Sequence, residues 1–224
     1  MRFAALLLLL AVARPAFAER LVITNFIAGK GGDETGDLPG GDFRDGVFVL
    51  NPTFGAGLDI RKFNTGESRA AIEFSLTGLQ RPATIHSATL TFHQTQGTTR
   101  PFGLRLDGYV GDGVITPADF ATDNLLTNFD VGPGADSVTA LDVTCFIQQL
   151  ASFVNLPPIA GFSIRATAEG DSADSISIVE RSDIPELPPP MLVIDYTATV
   201  PEPATWLLAA VGGMLLAARA RRLH

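Results

Sequence analysis

At 224 residues, 46% of them hydrophobic, the chain is long enough for one domain with a substantial core. Its single cysteine, Cys145, excludes an intramolecular disulfide framework. The acidity lies between the two ends: residues 19–200 hold 23 of the 24 acidic and 11 of the 16 basic residues, a formal charge of −12. That balance argues against nucleic acid and against anionic lipid as partners.

The first eighteen residues, MRFAALLLLLAVARPAFA, are predicted to be a signal peptide with a signal helix. Arg2 gives the positive start, residues 3–13 the apolar run, and Ala16-Phe17-Ala18 the small-x-small site for signal peptidase, with cleavage before Glu19. Residues 19–199 then form the predicted domain. Short apolar runs recur in it, separated by Gly, Pro, Asp and Asn: Leu21 to Ile23, Val47 to Leu50, then Ala70, Ile72, Phe74 and Leu76 alternating with polar residues. His86, Ala88, Leu90 and Phe92 alternate with Ser87, Thr89, Thr91 and His93, and Leu104 and Leu106 with Arg105 and Asp107. Phe162, Ile164 and Ala166, Ile176 and Ile178, and residues 191–194 complete the set. Period two over many short segments predicts an all-β, antiparallel β-sandwich. Two short helices are predicted within it, over residues 116–121 and 143–153, with Cys145 buried as a small hydrophobe. Residues 29–46, GKGGDETGDLPGGDFRDG, break the alternation and are predicted to be a Gly-rich acidic loop.

The final segment, residues 200–224, has three ordered parts. Pro201-Glu202-Pro203 cannot be regular helix, because two amide hydrogens are missing and the residue before each proline is pushed to extended geometry. Residues 204–218 are apolar and uncharged, and Arg219, Arg221 and Arg222 follow. At ~1.5 Å per residue the apolar run covers roughly 22 Å, short of a ~30 Å hydrocarbon core. Trp206 at one interface and the arginine stems at the other compensate, giving a single transmembrane helix with Pro201 outside. The sequence Val200-Pro201-Glu202-Pro203 followed by that helix and that arginine cluster resembles the PEP-CTERM sorting signal, also known as the ice-binding protein C-terminal domain. The resemblance implies a Gram-negative bacterium that makes exopolysaccharide. It also implies processing near the PEP motif by an exosortase, a membrane-embedded cysteine protease.

A second resemblance begins at Arg69. RAAIEFSLTGLQRPATIHSATLTF is similar to the opening of DNRLRE-type domains, with Leu79 to Pro82 as the polar link and Ile85, Ser87, Ala88 and Leu90 entering the next strand. Asp142-Val143-Thr144 matches the entry to that family's helix, residues 179–182 fall at its "Ser-Arg-Glu" strand end, and residues 190–196 match its closing strand. The namesake residues themselves are not matched. The resemblance, over roughly residues 42–196, implies a carbohydrate-binding-like jelly roll.

Several constellations offer chemistry. Asp33, Glu34, Asp37, Asp42 and Asp45 crowd one loop and are calcium-ligand types without a spacing repeat. In GYVGDGVITPADF, Asp112 and Asp119 fall at positions five and twelve of an EF-hand-like loop, but the first and third positions carry no side-chain oxygen. The same residues are explained fully by a turn at Gly113 and a helix start with Thr116 as cap, Pro117 at its first position and Asp119 closing a capping box. No cofactor is expected: the acidic loop reads as solvated, with calcium at Asp33, Asp37, Asp42 or Asp112 as the alternative. Seven residues apart on one strand, His86 and His93 face opposite sides, with His86 among core residues. Gly66-Glu67-Ser68-Arg69-Ala70 lacks the final glycine of a nucleophile elbow and leads into a strand. Glu73 and Asp107 are exposed carboxylates that a glycosidase would need as a pair. Tyr109, on the outward phase of its strand, is the best residue to stack on a sugar ring. Thr89-x-Thr91 is a single instance of the repeat an ice-binding face needs.

These readings converge on an exported surface or matrix protein, displayed or released at its tail, with a non-catalytic sandwich contacting exopolysaccharide. The alternatives are an adhesin-like structural module without a specific ligand and a polysaccharide-degrading enzyme.

Overall fold

The computed structural model describes residues 18–32, 49–50, 57–63, 66–80, 82–96, 101–132, 137–153, 159–167, 175–179 and 188–198. Asp33, Asp37 and Asp42, the PEP motif with Trp206 and the three arginines, and residues 1–17 and 204–218 lie outside that set. Among the described residues no helix is long and apolar enough to cross a membrane.

Twelve strands and two short helices are described: β1 (Ala18–Ile23), β2 (Phe26–Gly32), β3 (Val49–Leu50), β4 (Gly57–Phe63), β5 (Gly66–Ser75), β6 (Ala83–Gln96), β7 (Phe102–Val110), α1 (Pro117–Phe120), β8 (Leu125–Val131), β9 (Ser137–Asp142), α2 (Thr144–Ala151), β10 (Ile159–Ala166), β11 (Ser175–Val179) and β12 (Met191–Ala198). Every pairing is antiparallel. One layer runs β1-β12-β6-β9 and the other β2-β5-β10-β7-β8, while β11 and β4 pair with each other and bridge β6 to β5. The result is a jelly-roll-like antiparallel sandwich, joined along one side.

Alternation places one row of each strand in the core. Ile72, Phe74, Leu90, Phe92, Leu104, Leu106, Phe162, Ile164, Leu192 and Ile194 are all fully buried between the layers. Aromatic rings knit the centre: Phe74 meets Phe162 edge-on at 6.1 Å, and Phe162 meets Phe146 of α2 at 5.5 Å. α2 is tied down at its start, where Asp142 Oδ1 accepts from the Thr144 amide at 2.9 Å and the Thr144 hydroxyl accepts from Ala88 N at 2.9 Å. Its Phe146, Ile147, Leu150 and Ala151 plug the gap between the layers.

Three local expectations are corrected. Gly29 to Gly32, assigned to the loop, belong to β2 and pair with β5 from Ala71 to Ser68. Cys145 is exposed, because α2 turns Phe146, Ile147 and Leu150 inward and leaves Cys145 on its solvent side. His86 is exposed too. Between β6 and β12 the register passes from Ser87↔Asp195 to Ile85↔Tyr196, so His86 is the extra residue of a β-bulge. The bulge moves the inward row from His86 to Ile85, and His86 Nε2 instead meets the Thr197 hydroxyl at 2.6 Å.

Candidate functional site

The outward rows of β5, β10 and β7 lie side by side and carry most of the buried polar chemistry. In register, Glu73, Gly161 and Tyr109 form one rung and Ala71, Ser163 and Asp107 the next. Arg165 and Arg105 pair on the rung beyond, and Arg69 follows Ala71 outward on β5. A strand's outward row normally faces water. Here residues 111–123 fold back over it, with Ala71, Ile115 and Phe120 making a small apolar cluster of their own.

That return is built by turn and cap chemistry. Gly113 has φ +92°, a conformation that favours glycine. Asp112 Oδ1 accepts from the Val114 amide at 2.9 Å, closing the turn. Thr116 and Asp119 form the capping box of α1, with the Thr116 amide donating to Asp119 Oδ2 at 2.6 Å and Pro117 in the first turn. Asp112 and Asp119 therefore serve the backbone. Among the described residues no group of three or more acidic, His or Cys side chains is arranged to hold a metal ion.

Under this segment sit two carboxylates that the alternation alone had placed in solvent. Glu73 is 1% exposed and Asp107 0%. Asp107 is clamped by two arginines: Arg105 Nε donates to both its oxygens at 2.9 Å, and Arg165 Nε reaches Oδ2 at 3.2 Å. Both arginines continue to Asp123 in solvent, Arg165 Nη2 at 3.0 Å. The Arg105 hydrogen bond and charge hold Asp123 below the usual carboxylate range. Arg69 pairs with Glu67 and donates to the Phe120 carbonyl, fastening the end of α1 to β5. Ser68 is a buried strand residue, so the near-elbow 66–70 has no elbow geometry.

Glu73 Oε2 accepts from the Gly113 amide at 2.9 Å, which fixes the turn over the sheet. Burial raises its pKa; the Gly113 bond opposes this, and Asp119 and Asp112 add to it. Tyr109 is half-buried on the outward row, with its ring against Gly161, where a Cβ would lie 2.3 Å from Cε2 of the ring. Its hydroxyl is pushed well above the ordinary phenol range by burial, then by the Asp119 and Glu73 carboxylates. The Glu73 carboxyl and Tyr109 hydroxyl influence each other's protonation without meeting at hydrogen-bond geometry. Glu73 Oε1, Tyr109 OH and Ser163 Oγ, all on this face, are buried without a hydrogen-bond partner, as is His93 Nδ1 on β6.

Chemically, this face is a braced surface. Strand spacing puts the Cα atoms of Glu73 and Asp107 roughly 12 Å apart, and neither carboxylate opens to solvent. Tyr109 is the residue there that combines an aromatic face with partial exposure.

Beyond the sandwich, residues 199–222 match the family model for the PEP-CTERM protein-sorting motif. The chain carries a PEP-CTERM sorting motif. No curated protein matches the chain. Among solved structures it is similar to a "xylan-binding module CBM15", with 11% identity over 83% of this chain and 99% of that one, at a TM-score of 0.37. A likeness that distant bears on no residue or ligand. The sorting motif begins one residue beyond the end of β12, so the tail continues directly from a core strand.

Proposed function

We propose that this is an exported protein, delivered by its signal peptide and held in the membrane by residues 204–218. An exosortase then cuts it near Pro201-Glu202-Pro203, and the sandwich, residues 19–199, becomes a non-catalytic component of the cell surface or extracellular matrix that contacts exopolysaccharide. The observation carrying this reading is the PEP-CTERM motif at residues 199–222. A non-catalytic role is supported by the burial of Glu73 and Asp107, each already bonded to neighbouring groups. Glycan contact is supported by the resemblance of roughly residues 42–196 to DNRLRE-type domains and by the partly exposed Tyr109 ring beside Gly161 on the outward rows.

The test is mass spectrometry of membrane and secreted fractions, with Pro201-Glu202-Pro203 intact or replaced by alanines. The intact form should lose its tail near Pro203, and the replaced form should stay full-length in the membrane. If both stay full-length, processing by an exosortase is refuted. The released domain is then titrated with exopolysaccharide: saturable binding without turnover fits, whereas turnover would make it an enzyme.

A further inference from the structure

The two ends of the domain leave it side by side. β1 pairs with β12 in the register Ala18↔Thr197 to Ile23↔Leu192, so the start of the first strand adjoins the end of the last. Glu19, the residue expected to follow signal cleavage, is fixed there, accepting from the Tyr196 hydroxyl at 2.7 Å and from Gln80 at 3.3 Å. Both membrane-directed segments, residues 1–18 and 200–224, therefore leave the sandwich at one pole. From Ala198 to Ala204, where the apolar run begins, are six residues, at most ~22 Å of extended chain.

The same pole gathers exposed apolar side chains. β12 ends beside the start of β6, with Ala198↔Ala83, and antiparallel pairing carries that direction across both layers. The end of β5, the end of β7, and the starts of β2, β8 and β10 all point the same way. α2 runs toward this pole as well, from Thr144 beside Ala88 to Gln148 beside Ala83. Ile27, Val110, Leu125 and Phe153 lie at or just beyond those strand and helix ends. Val114 lies in the turn after β7 next to Gly113, which sits against Ile159 at the start of β10, and each of the five is 41–60% exposed. Among the described residues they are five of the seven large exposed apolar side chains; Val22 and Val138 lie elsewhere. Scattered apolar residues need no explanation, but a set collected where an apolar tail emerges does.

We infer that this pole is apposed to the bilayer surface while the tail is in place, with Val114 and Phe153 reaching the interface and the opposite pole, where Gly132 follows β8, presented outward. The inference rests on the tail anchoring the protein. The domain's charge of −12 selects an uncharged or zwitterionic surface and opposes anionic lipid. A short tether and a few apolar side chains then act together, neither sufficient alone.

The test uses the tail-bearing chain, with Cys145→Ser and one new cysteine, Val114→Cys at this pole or Gly132→Cys at the other. Gly132 is exposed, with nothing within 4 Å of an added Cβ. Each is labelled with an environment-sensitive fluorophore and mixed with phosphatidylcholine vesicles bearing a headgroup nitroxide. The label at Val114 should lose most of its fluorescence and the label at Gly132 almost none, and residues 19–199 alone should show no quenching. Equal quenching at both positions, or none at Val114 in protein that floats with the vesicles, overturns the inference and leaves the anchor standing. Failure to float at all removes the anchor, and the inference with it. Dimerisation of residues 19–199 in sedimentation, abolished by Val114→Asp, would assign the apolar set to a second copy instead.

Discussion

Replacing Asp107 by Asn changes one atom of a fully buried side chain and no volume, so the cost is electrostatic. Two arginines then face each other with their shared buried counter-charge gone. Breaking a buried pair costs about 3–5 kcal/mol. The Arg105 and Arg165 side chains are 24% and 18% exposed and keep Asp123 as a partner, which screens part of that loss. Discounting for solvent and for Asp123 leaves about 2–3 kcal/mol. For a domain of this size that lowers Tm by roughly 4–12 °C. Urea unfolding of residues 19–199, followed by far-ultraviolet circular dichroism, reads the same loss as a midpoint shift with unchanged slope. A loss below about 0.5 kcal/mol would show that Asp107 is not the hub of the outward face. Replacing Asp107, Arg105 and Arg165 together by apolar residues of similar volume should cost less than Asp107→Asn alone.

Other consequences separate along the same face. Tyr109→Phe removes a buried hydroxyl without a partner and should leave urea stability unchanged or raise it by about 1 kcal/mol, whereas Gly161→Ala drives a methyl into the ring and should cost about 1–3 kcal/mol. Burial raises the pKa of Glu73 in the folded protein, so its contribution to stability is greatest below the unfolded carboxylate value and is lost as pH rises through the raised value. Thermal melts of Glu73→Gln should therefore show a shallower fall in Tm with rising pH than the parent, and an equal slope would place the charge elsewhere. Asp142 is held low by the Thr144 hydroxyl and amide, so stability it supplies above the ordinary aspartate range is lost as pH falls through its lowered value. Thr144→Val should weaken that acid-side loss. Cys145 is exposed in the fold and should react with a thiol reagent at one equivalent without denaturant; a silent thiol would contradict its place on α2.

Much of the sandwich could be read from alternation because its inward rows are apolar over their whole length, as in Ile72 and Phe74 or Leu104 and Leu106. β2, β4, β8 and β9 are not legible that way, and for β4 and β8 the reason is physical. GLDIRKF buries Leu58 and Ile60 among charged neighbours, and LLTNFDV is an edge strand whose only fully buried side chain is Val131. One inserted residue turns His86 outward, since a bulge leaves no mark in a pattern of residue types. Cys145 faces solvent and not the core because helical phase depends on where the helix begins, and Asp142, two residues before Thr144, sets that point. The candidate face shows the limit best. Alternation places Tyr109, Glu73 and Asp107 on outward phases, yet Glu73 and Asp107, expected in solvent, are buried. What lies above an outward phase is a tertiary fact: the turn at Gly113, legible as a turn, gave no sign that it folds back onto Glu73.

The pairing of β1 with β12 also sets the order in which the molecule can be assembled. Among the described residues the first strand has as its ladder partner the last one, and no described strand between them in the chain takes that place. Until Ala198 has been made, β1 stays an open row of amides and carbonyls, and the layer it belongs to lacks its edge. Closure of so long a loop is slow and late. β1 can therefore join its layer only once residues 192–197 are available, which places closure of that edge among the last steps of folding.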